Sequence, residues 1–136
     1  MRLPSHSFED HTADVRLHVE AHDLGALLEE AGRALGELMG GGAEGPLGDP
    51  LHVRVQAADR AALLVRWLDE LVGLSEIEHR VWTDIHVSRV DERSVDAVVR
   101  GPLVEALRTA VKAATFHDLR VEEDCEGLQA SVILDV

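Results

Sequence analysis

Val15, Leu17 and Val19 alternate with Arg16, His18 and Glu20, a period of two that predicts a strand with one buried face. At Asp23 the period changes. Asp23 stands where a helix N-cap is expected, and Leu24, Leu27, Leu28, Ala31, Leu35 and Leu38 follow at helical spacing until Gly40-Gly41-Gly42 ends the run. The stretch 40–50, rich in Gly and Pro, predicts a loop. Alternation returns with Leu51, Val53, Val55 and Ala57. Asp59 is then placed to cap a second helix, whose apolar stripe is Leu64, Trp67, Leu68, Leu71 and Val72, extended by Leu74. In the second half, Val81, Thr83, Ile85 and Val87 predict one strand and Val95, Ala97 and Val99 another, with a hairpin turn at Asp91-Glu92-Arg93-Ser94. Stretches 111–121 and 128–134 predict two more strands, joined through the polar residues 122–127. Between these pairs, 101–110 reads as a connection with room for a short helical turn.

The order β-α-β-α-β-β, then β-β, predicts an α+β fold: a mixed, largely antiparallel sheet with two helices packed on one face. The 136 residues make one domain, 1–136, with no internal repeat, low-complexity tract or linker. Aromatic residues are 3% of the chain, so Leu, Val, Ala and Ile must fill most of the core. Phe8, Trp67, Trp82 and Phe116 are its expected large anchors.

Charge narrows the function. A formal net charge of -13 repels phosphate backbones, which disfavours tight direct binding of RNA or DNA; such a surface suits metal ions or a basic protein partner, or serves only to keep a small protein soluble. Cys125 is alone, so no intramolecular disulfide is expected, and a reducing, cytoplasmic setting fits. No apolar run approaches the ~20 residues of a membrane span, and the first residues lack the apolar stretch of a signal peptide. There is no glycine-rich phosphate loop, no CxxC pair and no helical His pair at metal spacing.

Two places stand out. One is Phe8-Glu9-Asp10-His11-Thr12-Ala13-Asp14, before the first predicted strand; the other is Ile133-Leu134-Asp135-Val136. Asp135 falls on the face opposite Val132 and Leu134. Asp14 at a strand start and Asp135 at a strand end meet if those strands are neighbours, and the terminal carboxylate of Val136 would join them. Such hard-oxygen donors suit Ca²⁺ or Mg²⁺, whereas Zn²⁺ wants nitrogen or sulfur. From spacing alone, an Asp at a strand end is more often a turn former or a solvated charge.

His11-Thr12-Ala13-Asp14 preceded by Glu9, the helix block Leu64-Val65-Arg66-Trp67-Leu68-Asp69-Glu70-Leu71, the block Val111-Lys112-Ala113-Ala114-Thr115-Phe116-His117, and a final Asp followed by one apolar residue together resemble the archease family, in family order from about residue 8 to 136. The resemblance implies a small α+β protein that stimulates an RtcB-type RNA ligase, which joins a 2′,3′-cyclic phosphate or 3′-phosphate end to a 5′-hydroxyl in tRNA splicing or RNA repair. It implies promotion of guanylylation of the ligase's active-site histidine, without catalysis by the protein itself. It implies a divalent ion held by Asp14, Asp135 and the carbonyl or carboxylate of Val136, with Lys112 as a phosphate or partner contact.

The chain departs from the family pattern in three places. Asp10 is an extra acid between Glu9 and His11, Phe116 replaces a Tyr, and 101–110 lacks a D-x-x-R-H stretch. His11 and His117 are candidates for proton transfer or partner contact, since His titrates near neutrality. The parity His117 shares with Leu119 and Val121 predicts partial burial and a structural role. Two other classes remain open at this point: a metal-dependent hydrolase, in which carboxylates and a divalent ion activate water, and a purely structural interaction module with Asp14 and Asp135 as solvated charges.

Overall fold

The computed structural model describes residues 1–11 and 14–136, with the side chains of Asp10 and His11 outside the description. The elements are β1 (Ser5–His11), β2 (Asp14–Ala21), α1 (Leu24–Gly40), β3 (Leu51–Gln56), α2 (Arg60–Glu78), β4 (Asp84–Asp91), β5 (Ser94–Arg100), β6 (Ala113–Asp124) and β7 (Gly127–Asp135). The α+β class is as expected, but the strands divide between two sheets instead of forming one. One sheet has the order β1-β2-β7-β6 and the other β3-β5-β4, and every pairing is antiparallel.

Both helices start at the predicted caps. The Asp23 carboxylate accepts from the Ala26 N–H at 2.8 Å, and Asp59 does the same for Ala62 at 2.8 Å. Gly41, at φ 61°, closes α1; α2 runs past Leu74 to Glu78 and ends where His79 takes the left-handed conformation at φ 55°. Each helix packs on both sheets, α1 on β2 and β4, α2 on β6 and β3. The core therefore joins Leu17, Val19, Val132 and Leu134 of the larger sheet to Val53, Ile85, Val95 and Val99 of the smaller one.

Trp67 and Trp82 are buried anchors, as expected. Their indole N–H groups donate to the Leu28 carbonyl (2.8 Å) and the Leu71 carbonyl (3.1 Å), so burial leaves neither donor unpaired. Phe8 and Phe116 are not core residues: Phe8 lies at the surface beside His6, and Phe116 is 61% exposed.

Three local expectations are corrected. An unforeseen strand, β1, precedes the predicted first one. Val81 and Trp82 lie outside β4 and are both buried, because this stretch crosses α1 so closely that a Cβ on Gly36 would overlap the Trp82 carbonyl. The 101–110 connection makes no helical turn. It is pinned by a bridge of Leu103 to Arg80, by Val104 N–H on the His79 carbonyl at 2.8 Å, and by Arg108 N–H on the Met39 carbonyl at 2.8 Å.

The nearly buried Arg80 organises this end of the molecule. Its guanidinium donates to the carbonyls of Gly101 (2.9 Å), Leu47 (2.6 Å) and Asp49 (2.8 Å) and lies 4.9 Å from the Trp82 ring centroid. The 40–50 loop is thereby tied to the end of β5.

Candidate functional site

The sheet order places β2 beside β7, and the register pairs Asp14 directly with Asp135. Directly paired residues of antiparallel strands project on the same face with Cβ atoms about 4.5–5.5 Å apart. The row continues on both sides: the His11 backbone pairs with Asp14, and Ala113 pairs with Asp135. The His11 side chain lies outside the described residues. The Lys112 N–H donates to the Asp135 carbonyl at 2.7 Å, so the single lysine of the chain adjoins the carboxylate pair through the backbone. Lys112 is exposed, and among the described residues no ion pair engages it. Val136 follows Asp135 and is half-buried against the core.

This geometry has an electrostatic consequence. Two carboxylates directly opposite each other on one sheet face repel, and such like-charge pairs destabilise a sheet. A divalent cation reverses the sign of that interaction. Among the described residues no three His, Cys, Asp or Glu side chains gather into a metal-holding group. A cation held by Asp14 and Asp135 would therefore need main-chain oxygen or water to complete its shell. That donor set fits Ca²⁺ or Mg²⁺, which accept both, and does not suit Zn²⁺.

Around the pair lie groups that alternation did not reveal. Between Thr115, which pairs with Ile133, and Arg120, which pairs with Ser131, β6 bulges by several residues. At Asp118 the backbone turns left-handed, φ 52°. The bulge breaks the parity on which partial burial of His117 rested: His117 is exposed, with Nε2 3.5 Å from the Asp118 carboxylate. It also turns Phe116 outward and brings Asp118 within 3.5 Å of the Arg16 guanidinium. Arg16 stands two residues along β2 from Asp14, opposite Ile133, which is buried although its parity is that of the outer face. β-Bulges re-aim side chains in this way and concentrate next to functional sites.

Asp69 of α2 anchors the start of β6 by accepting from the Ala114 N–H at 2.7 Å. Burial raises its pKa, opposed by that hydrogen bond and by Arg66. The strand beginning next to Lys112 is thus fixed to a helix. Among the described residues, no helix is long and apolar enough to cross a membrane.

Comparison with known proteins places this arrangement in a family. The model of the Archease protein family matches residues 6–136. The archease of Methanothermobacter thermautotrophicus is 29% identical over 136 residues, covering 95% of this chain and 96% of that protein. The archease of Archaeoglobus fulgidus is 32% identical, covering 95% and 97%. A solution structure of a Methanobacterium thermoautotrophicum protein superposes with a TM-score of 0.78 at 28% identity, covering 96% of this chain and 98% of that one. A crystal structure from Thermotoga maritima, described as an archease and possible chaperone, has a TM-score of 0.67 at 23% identity and covers 100% and 98%, a likeness of fold. With the family model spanning nearly its whole length, this chain belongs to the archease family.

Proposed function

We propose that this protein is a metal-binding accessory factor that activates an RtcB-type RNA ligase by promoting its guanylylation, and that it performs no catalysis alone. The observation that supports this reading most is the in-register pair Asp14–Asp135 with Lys112 bonded to the Asp135 backbone, in a chain of the archease family. Asp14, Asp135 and a main-chain oxygen of Val136 would hold Ca²⁺ or Mg²⁺. When bound, the ion supplies positive charge that can stabilise a transferring phosphoryl group. The chain's own residues do the placing. β2 and β7 hold the two carboxylates on a paired, hydrogen-bonded lattice, and Asp69 holds the start of β6, where the Lys112 backbone meets Asp135 and its exposed side chain is free to reach a partner. Exposed Phe116 and His117 on the adjacent bulge give a ligase an aromatic contact next to this charge.

Lys112→Ala tests the role of the ammonium. Stimulation of multiple-turnover ligation by a cognate ligase is expected to fall about tenfold, the scale of one charge-assisted hydrogen bond, with calcium affinity of the isolated protein within about twofold of wild type. Full stimulation by the variant would remove Lys112 from the mechanism.

The charge of -13 carries a second expectation. The isolated protein should bind single-stranded or nicked RNA only weakly at physiological salt, because few cations are available to displace counterions. Retention of such RNA on filters at submicromolar protein would contradict this and would argue for direct recruitment of substrate.

A further inference from the structure

β1 is an edge strand, paired with β2 alone, and its terminal residue His11 is the partner of Asp14. Its seat on α1 includes an unusual inward side chain. His6 pairs across the strand with Val19, a core residue, and its imidazole is 21% exposed. Nδ1 lies 2.6 Å from Glu30 Oε2, and Nε2 lies 2.7 Å from Glu37 Oε2.

A carboxylate only accepts hydrogen bonds, and a neutral imidazole has one N–H to give. Both contacts are therefore hydrogen bonds only when the ring is an imidazolium. In the neutral ring, one glutamate faces a nitrogen lone pair at hydrogen-bond distance, and attraction becomes repulsion.

We propose that His6 is a positioning residue whose imidazolium, bonded on both sides, clasps β1 to α1, and that loss of its proton releases one bond and loosens the strand flanking Asp14. The consequence at Asp14 rests on the proposed function; the clasp does not.

The surrounding charges support the protonated form. From α1, Glu30 and Glu37 face the ring, and Arg33 is paired with Glu30 at 3.1 Å. From β1 itself the neighbour is the Phe8 ring, edge-on at 5.5 Å between centroids. From β2 the opposite residue is apolar Val19, and Glu20 is occupied by Arg2 and Ser5. From the 101–110 connection, Arg108 lines the hollow shared by Phe8 and Glu37. Burial disfavours charge on His6, yet its bonds to Glu30 and then Glu37 outweigh burial and raise its pKa above the ordinary value. Burial likewise pushes Glu30 up, and the bonds from His6 and Arg33 outweigh it, leaving Glu30 lowered.

The signs define a window. A raised folded-state pKa makes the His6 contribution complete below the unfolded value and lost as pH rises through the folded one. The lowered Glu30 makes its contribution complete above the unfolded carboxyl value and lost as pH falls through the folded one. The clasp is shut between these limits; it opens as pH rises through the folded His6 value and again as pH falls through the folded Glu30 value.

The test uses the isolated protein without metal or ligase, so failure of the ligase reading leaves it intact. The His6 ring nitrogens are titrated by NMR while amide exchange is followed in β1 and, as control, in β5, after correction for intrinsic exchange. Both ring nitrogens are expected to carry protons at pH 6, with a midpoint above ordinary histidine. Protection of the β1 amides should fall through the same midpoint, by about tenfold for each unit by which it exceeds the unfolded value, while β5 stays constant. Glu37→Gln, at an exposed position, should lower the midpoint, and His6→Phe should remove the inflection. A midpoint at or below the ordinary value, β1 protection without an inflection, or the same inflection in His6→Phe would each overturn the proposal.

Discussion

Calcium at 100 times its dissociation constant is expected to stabilise the protein by about 2.7 kcal/mol, a rise in melting temperature on the order of 10 °C for a chain of this size. Asp14→Asn is expected to abolish that rise. Without metal, however, the variant should melt no lower than the wild type, and by up to about 1 kcal/mol higher, because the substitution removes a like-charge pair from one sheet face. The opposite signs follow from the register that sets Asp14 against Asp135. An ordinary structural aspartate would lose stability in both conditions. Scanning calorimetry with calcium and with chelator decides the matter; an Asp14→Asn variant that melts lower in chelator, or keeps the calcium shift, would show that the pair is not an ion site.

The largest loss of stability is expected from Gly101→Ala. A Cβ at Gly101 would overlap the Val81 carbonyl oxygen, and the neighbouring backbone has no freedom to yield. The Gly101 N–H is spent on the Leu47 carbonyl at 3.0 Å, and its own carbonyl takes the Arg80 guanidinium. Overpacking against backbone at such a junction should cost about 3 kcal/mol or more. Gly73→Ala makes the opposite comparison. Within α2, a Cβ at Gly73 meets nothing within 4 Å, so the gain in helix propensity, about 0.5–1 kcal/mol, should appear as added stability. Urea midpoints measure both. Equal midpoints for Gly101→Ala and wild type would mean that the end of β5 does not approach Val81 as described.

Much of this architecture was legible in the periodicity of the sequence, and its limits have physical causes. Asp23 and Asp59 announced both helices because capping is local chemistry, and the β4–β5 turn was visible for the same reason: the Asp91 carboxylate accepts from the Arg93 N–H at 2.7 Å. β1 was hidden because His6 occupies an inward position and is kept there by Glu30 and Glu37, which only the folded chain brings near. Alternation gave each strand an inner face but no sheet to join, so the division into two sheets lay beyond it. The β6 bulge was hidden too. Asp118 adopts a left-handed backbone with no glycine to signal it, and Phe116 and His117 consequently leave the faces their parity assigned. For the candidate site, Asp14, Asp135, Val136 and Lys112 were marked by strand ends and by family resemblance, and the β2–β7 register supplies the Asp14–Asp135 adjacency. Arg16 and Asp118 gave no such sign, because a 3.5 Å ion pair across the bulge exists only in three dimensions.

In the proposed function, the carboxylate pair serves activation of an RNA ligase. The most direct test of this role is the rate at which a cognate RtcB-type ligase becomes guanylylated with labelled GTP, measured with trace amounts of the wild-type protein, of Asp135→Asn, and without addition. The account predicts a faster rate and repeated turnover with the wild type, no acceleration with Asp135→Asn in its folded form, and no consumption of GTP by the protein alone. Equal guanylylation rates and turnover numbers with and without the wild-type protein would contradict it.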